Sequence, residues 1–176
     1  MEILDSIDAV DLFLYLKKYH TFIISDIHIG YEESLNRHGI LIPRNNYSDL
    51  LLRLEKVLEK LSDLKSIIIN GDIIHEFGKV SRDEKDLVKK LLKFLTVYAP
   101  VTIIEGNHDK ALRYIVGENT EIIDKKILEN ILVIHGDKIP SKASLKNIKT
   151  IIIGHEHPAI TISSGSRGEK FKCFLK

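Results

Sequence analysis

Five short runs of isoleucine and valine, each ended by aspartate, asparagine or histidine, constrain this chain more than any other feature. In order they read Phe22-Ile-Ile-Ser-Asp26-Ile-His28, Ile67-Ile-Ile-Asn-Gly71-Asp72-Ile-Ile-His75, Val101-Thr-Ile-Ile-Glu-Gly106-Asn107-His108-Asp109, Leu132-Val-Ile-His135-Gly136-Asp137 and Ile151-Ile-Ile-Gly154-His155-Glu-His157. A short apolar run bounded by glycine reads as a buried strand. In an open α/β sheet, ligands bind beyond the carboxyl ends of the strands. Six of the eight histidines would therefore gather with carboxylates and an amide at one edge of the fold. That mixture of donors suits a pair of divalent metal ions.

The rest of the composition narrows the class. A chain of 176 residues is expected to form one domain, 1–176. The 26 basic and 25 acidic residues nearly cancel, so no global field argues for nucleic acid or membrane binding. Cys173 is the only cysteine, which excludes an intrachain disulfide and fits a reducing compartment. No signal-like start and no apolar run long enough for a membrane span is present, so a cytoplasmic location is expected.

Residues 10–16 alternate in a period of two and predict a strand that turns back at Lys17 to His20, although a short amphipathic helix also fits. Residues 32–46 read as a long loop. Tyr47, Leu50, Leu51, Leu54, Val57, Leu58 and Leu61 share one helical stripe. Ser81-Arg-Asp-Glu84 is a capping box that opens a helix ended by Ala99-Pro100. Strand and helix alternate through this half, which predicts a parallel sheet with right-handed crossovers. Beyond a short helix near Lys110 to Val116, long helices are absent, and antiparallel or mixed pairing is expected. A hairpin-like turn, Ser164 to Gly168, separates runs at 159–163 and 170–175. Two packed sheets with helices outside would hold both halves.

Asp26 and His28 lie two apart at a strand end and can chelate one metal ion. Gly71 lets the backbone turn and aim Asp72 across the site, where its two oxygens could bridge two cations. Asn107 offers an amide oxygen, and His135, His155 and His157 offer nitrogens. Two ions roughly 3.5–4 Å apart would share and acidify a water and hold a phosphoryl group in line for attack. Mixed nitrogen and oxygen donors favour Mn, Fe, Zn, Co or Ni over Ca or Mg. Each fragment alone has a plainer reading. Asp-x-His and Gly-Asp recur at loop starts, and Asn-His-Asp can be an Asx-turn. The ordered set of five, each behind an apolar run, does not fit that explanation.

At these residues the chain resembles the calcineurin-like metallophosphoesterases, whose pattern is D-x-H, G-D, G-N-H-[DE], an H usually beside G, and G-H-x-H. Asp26-Ile-His-Ile-Gly-Tyr-Glu32, Ile42-Pro43-Arg44, Gly71-Asp-Ile-Ile-His-Glu-Phe-Gly78 and Gly154-His-Glu-His-Pro158 are similar to the ICC-like branch that includes the DNA-ligase-associated phosphoesterases. The resemblance implies a four-layer α/β/β/α sandwich of two mixed sheets. It implies Asp26, His28 and His157 on one metal ion, Asn107, His135 and His155 on the other, and Asp72 between them. It also implies that His108 contacts phosphate and protonates the leaving oxygen, with Asp109 orienting it.

His75 stands where many relatives carry another polar residue, and is open as a substrate contact, a buttress or a packed loop histidine. Arg44 is a second candidate for substrate binding. The chain ends nineteen residues after His157, so the C-terminal sheet is expected to be short. Its alternating end, Lys170 to Leu175, would be an edge strand open to pairing in a homodimer. The expected activity is a metal-dependent phosphodiesterase acting on small diesters or nucleotides, with manganese as the expected metal. A DNA-repair nuclease would instead need a basic track, for which Arg37, Arg44, Lys79, Arg82, Lys110 and Arg113 are candidates. A non-catalytic metal-binding scaffold is the third reading, and retention of His108 argues against it.

Overall fold

Alternate residues of the central strands are buried on opposite faces, and this alternation builds the layers. The computed structural model describes residues 1–76, 80–117, 120–165 and 167–176. The larger sheet holds β1 (Glu2–Leu4), β2 (Ile7–Val10), β3 (Phe13–Leu16), β4 (Thr21–Ile24), β5 (Ser66–Asn70), β6 (Val101–Ile104) and β7 (Glu121–Ile123), in chain order. From β1 to β4 the pairs are antiparallel; from β4 to β7 they are parallel. Helices α1 (Tyr31–Arg37) and α2 (Asn46–Leu58) lie between β4 and β5, and α3 (Arg82–Thr96) between β5 and β6.

Phe22, Ile24, Ile67, Ile69 and Ile103 face one way and pack with Leu54, Val57, Leu58, Val88, Leu91 and Leu95 of α2 and α3. Ile23, Ile68 and Ile104 face the other way, against Ile131, Val133 and Ile152 of a second sheet. That sheet has the order β10-β9-β8, with β8 (Lys125–Leu128), β9 (Ile131–Ile134) and β10 (Thr150–Ile152). Each such buried isoleucine contributes roughly 2 kcal/mol. A one-residue slip would exchange the two faces and disorder both cores at once, so the register is strongly specified. Register in turn sets where each strand stops, and therefore where the polar residues beyond it stand.

Several expectations are refined. Residues 10–16 are not one strand: Asp11 and Leu12 form the turn of a β2–β3 hairpin, with Asp11 in a left-handed conformation at φ +57°. The expected loop at 32–46 begins as α1. Tyr31 N–H donates to the His28 carbonyl at 3.1 Å, and Glu32 and Glu33 occupy the first turn, where the helix dipole favours acid. Asn36 then folds the following segment back through bonds to the Ile42 carbonyl and N–H. The short helix expected near Lys110 is a 3-10 helix, Asp109–Tyr114.

Both sheets and the inner helical layer of the sandwich are present. Residues 142–147, between β9 and β10, form a run of turns. The second sheet is short, and the C-terminal strands β11 (Ala159–Ser164) and β12 (Arg167–Lys172) form a separate hairpin. The strand pattern expected to run to Leu175 stops at Lys172, and Ser166 of the expected turn lies outside the described residues.

Candidate metal centre

Each proposed ligand sits on the loop just past a strand: Asp26 and His28 after β4, Asp72 after β5, Asn107 after β6, His135 after β9, and His155 and His157 after β10. Parallel pairing of β4, β5 and β6 brings three of these loops side by side. The packing of β9 and β10 against the same sheet brings the other two across from them.

Asp72 is the hub. It is 2% exposed, and its Oδ2 lies 3.3 Å from His135 Nε2, 3.7 Å from His28 Nε2 and 3.9 Å from His108 Nε2. Its Oδ1 accepts the His108 backbone N–H at 3.1 Å. Ligand atoms of Asp26, His28, Asp72 and His157 form one group lying within 4.8 Å of one another, and those of Asp72, His135 and His155 form a second. Asn107 joins the second group through a 3.2 Å approach of its Oδ1 to His135 Nε2. A third group, His28, His75 and His108, lies alongside.

The donor chemistry fits divalent ions. His135 Nδ1 faces the Asn70 carbonyl at 3.1 Å; a carbonyl only accepts, so Nδ1 carries the hydrogen. With Nδ1 so engaged, the neutral form of His135 would point a lone pair at Asp72 and Asn107, so that three acceptors converge. His28 Nε2 and His157 Nε2 likewise face one another at 3.1 Å, 3.3 Å from Asp26 Oδ1 in the case of His157. A cation is what such convergence lacks, and nitrogen and oxygen donors together suit a transition metal.

Burial and charge act differently on the two histidines. Burial pushes His28 down to about 4, keeping its imidazole neutral and free to bind an ion. For His135 burial works the same way, but the bond to Asp72, the Asn70 carbonyl and the charges of Asp72 and Asp26 together raise it. Burial works against ionised Asp72, yet His135, the His108 N–H and the neighbouring charges hold it below its ordinary range.

Backbone strain marks the same residues. Asp26, His28, Asp72, His155 and His157 all have positive φ, between +43° and +66°. Non-glycine residues rarely adopt that region, and strain of about 1–3 kcal/mol at each persists only where the surroundings over-determine it. Glycines give the room. A Cβ on Gly71 would strike the His135 ring, one on Gly106 the Asp72 carboxylate, and one on Gly154 Ser25 and Asp26.

His108 and Asp109 both engage main-chain groups of the neighbouring loops. The Asp109 carboxylate, 0% exposed, accepts the backbone N–H groups of Ile73, Ile74 and Gly106. It ties the loop after β5 to the loop after β6. His108 Nδ1 meets the His75 carbonyl at 2.5 Å. Burial raises Asp109, opposed by those three N–H bonds. His75 packs its ring 5.9 Å from that of His108, in stacked orientation, and its Nδ1 lies 3.4 Å from His28 Nδ1. Arg44 is exposed and paired with Glu33 at 2.6 Å, so its guanidinium is already engaged. The carbonyls of Asn70 and His75 were illegible in the sequence, because any residue type supplies one.

Comparison with known proteins agrees with this geometry. The family described as Calcineurin-like phosphoesterase matches residues 19–159. An uncharacterised protein of Acanthamoeba polyphaga mimivirus is 36% identical over 93 residues, covering 52% of this chain; the chain spans 6% of that relative. Among solved structures, the Pseudomonas putida nuclease MPE aligns with a TM-score of 0.57 at 20% identity, over 84% of this chain and 66% of that one. A protein of unknown function from Aquifex aeolicus aligns at 0.47 and 23% identity, over 78% of each chain. The nuclease alignment shows the fold, and the family match spans every strand-end motif from Asp26 to His157. The chain belongs to the calcineurin-like phosphoesterase family.

Proposed function

We propose that the chain, acting as one domain over residues 1–176, is a binuclear phosphodiesterase that hydrolyses small diesters or nucleotides. The observation that carries this reading is the pair of ligand groups sharing buried Asp72. Asp26, His28 and His157 would hold one ion and Asn107, His135 and His155 the other, with Asp72 on both and manganese the expected metal. Such ions would supply an acidified water and offset charge on the phosphoryl oxygens.

The protein's own part comes from its hydrogen bonds. With Nδ1 donating to the His75 carbonyl, His108 presents Nε2 to the site. Only the imidazolium form can donate from Nε2, so His108 acts as general acid when doubly protonated, giving that proton to the leaving oxygen. Asp109 holds the two loops that carry Asp72 and His108 in register.

Small diesters are favoured over long nucleic acid by what has become of the candidate basic track. Arg37 lies near Glu33, Glu76 and Glu84, Arg44 near Glu33, and Arg113 near Glu105. Lys79 lies outside the described residues. The fold likeness to a nuclease keeps nucleic acid as the second reading, with Arg82 and Lys110 as exposed cations. No described helix is long and apolar enough to cross a membrane, and a cytoplasmic location is part of the proposal. So is a homodimer through the C-terminal hairpin, whose Ile160, Ile162 and Phe171 are exposed; sedimentation giving only monomer at tens of micromolar would remove it.

The test is a screen of Mn-, Ni-, Co-, Zn- and Mg-loaded protein against bis-p-nitrophenyl phosphate, 2′,3′-cyclic nucleotides, matching monoesters and DNA, with elemental analysis of bound metal. We expect two ions per chain and a higher kcat/KM on diesters than on monoesters. One ion or fewer defeats the binuclear reading, a monoester preference defeats the substrate choice, and preferred cleavage of DNA establishes the second reading.

A further inference from the structure

Tyr31 is the first residue of α1, three positions past His28, and is 44% exposed. The Tyr31 and His75 rings meet edge to face, 5.0 Å between centroids and with planes at 83°. His75 in turn stands 5.3 Å from the His28 ring and stacks on that of His108 at 5.9 Å. A ladder of rings thus leads from the ligand groups outward on the His108 side, and Tyr31 is its outer rung.

The rung is rigidly mounted. The Tyr31 N–H donates to the His28 carbonyl at 3.1 Å. Beyond it, Glu32 Oε1 accepts the N–H groups of Asn45 and Asn46 at 2.8 and 3.0 Å. Arg44 holds Glu33 at 2.6 Å, and Arg37 approaches buried Glu84 of the α3 capping box at 3.7 Å. Pre-organisation of this kind spares a binding surface the cost of ordering itself. A planar, partly wet aromatic face held beside a phosphate site is the chemistry that takes a nucleobase or an aryl group, since every base offers a π-face.

We propose that Tyr31, buttressed by His75, is the subsite for the base or aryl substituent on the leaving-group side of the diester. This rests on the phosphodiesterase reading and names the substrate class it prefers: nucleotide and aryl diesters over alkyl ones. Tyr31 is a specificity residue, touching the substituent and not the reacting atoms.

Adenosine 5′-monophosphate and ribose 5-phosphate share a phosphate and a sugar and differ by the base, so calorimetric binding of each to manganese-loaded protein isolates the subsite. Tyr31→Ala is expected to weaken adenosine 5′-monophosphate about tenfold, the scale of one base–aromatic stack, and to leave ribose 5-phosphate unchanged. Tyr31→Phe should bind as the unaltered chain does. Tyr31→Leu, which keeps apolar bulk and guards against a folding defect in the alanine variant, should bind as Tyr31→Ala does. For bis-p-nitrophenyl phosphate, KM should rise in the alanine and leucine variants with kcat little changed. Equal losses for both ligands, or no loss for either, overturn the subsite. Base-dependent binding without any hydrolysis would sink the phosphodiesterase reading and leave the subsite standing.

Discussion

At the scale of single residues, the site asks opposite things of its histidines. As a proposed ligand, His28 would need to be neutral, and burial holds it so, at about 4 against an ordinary 6.5. Below pH 6.5 the unfolded chain accepts a proton that folded His28 refuses until about 4. Its contribution to stability is therefore whole above 6.5 and is lost as the pH falls toward 4. His135 has the opposite sign: raised by Asp72, it stabilises fully below its unfolded value and loses that contribution as the pH rises through its folded value. In protein stripped of metal, imidazole titration by NMR should show His28 still neutral at pH 5 and His135 protonated there. Coincident midpoints would refute the assignment. Under the proposed function, His108 should separate chemistry from binding. His108→Ala should lose on the order of 10²-fold or more in kcat while bound metal, read by elemental analysis, hardly changes; loss of metal would make it a ligand instead.

At the scale of elements, α3 was fully announced by local chemistry. Its capping box is present in both halves, the Ser81 side chain accepting from Glu84 N–H and Glu84 from Ser81 N–H. Ser81→Ala should cost about 1 kcal/mol in denaturant unfolding and leave kcat/KM on diesters intact, because the cap supports a helix and touches no ligand. A matching fall in activity would show that α3 positions the site more directly than its contacts indicate. Elsewhere local signals were ambiguous. Alternation over residues 10–16 is equally satisfied by one strand or by two joined at Asp11 and Leu12, and only cross-strand pairing decides. Helix α1 escaped notice because its seven residues are too few for an apolar period, and it is tied down by Arg37 near Glu84 and by Glu32 and Asn36, which bond the loop that follows.

At the scale of the whole molecule, the candidate ligand groups join the two sheets, since Asp26, His28, Asp72 and Asn107 come from the first and His135, His155 and His157 from the second. Ion binding should therefore clamp the sheets together. Chelation is expected to lower the thermal midpoint and manganese to restore it, as for any ligand that binds only the folded state. Asp72→Asn should abolish the difference by weakening both sites, whereas Asn107→Ala should weaken mainly one. A chelation-insensitive midpoint would contradict binding across the sheets. The order of the five motifs was legible from sequence because a buried strand needs an unbroken apolar run, and the polar residues just past such a run must stand at the sheet's end. The left-handed φ of Asp26, His28, Asp72, His155 and His157 was not legible, because no residue type there requires it. Nor were the backbone N–H groups of Ile73, Ile74 and Gly106 that the Asp109 carboxylate accepts, or the His75 carbonyl that meets His108. Which residues carry chemistry is a matter of side-chain type and strand position, both written locally. Which atoms meet depends on main-chain donors and acceptors that every residue shares, and only packing of the sheets selects among them.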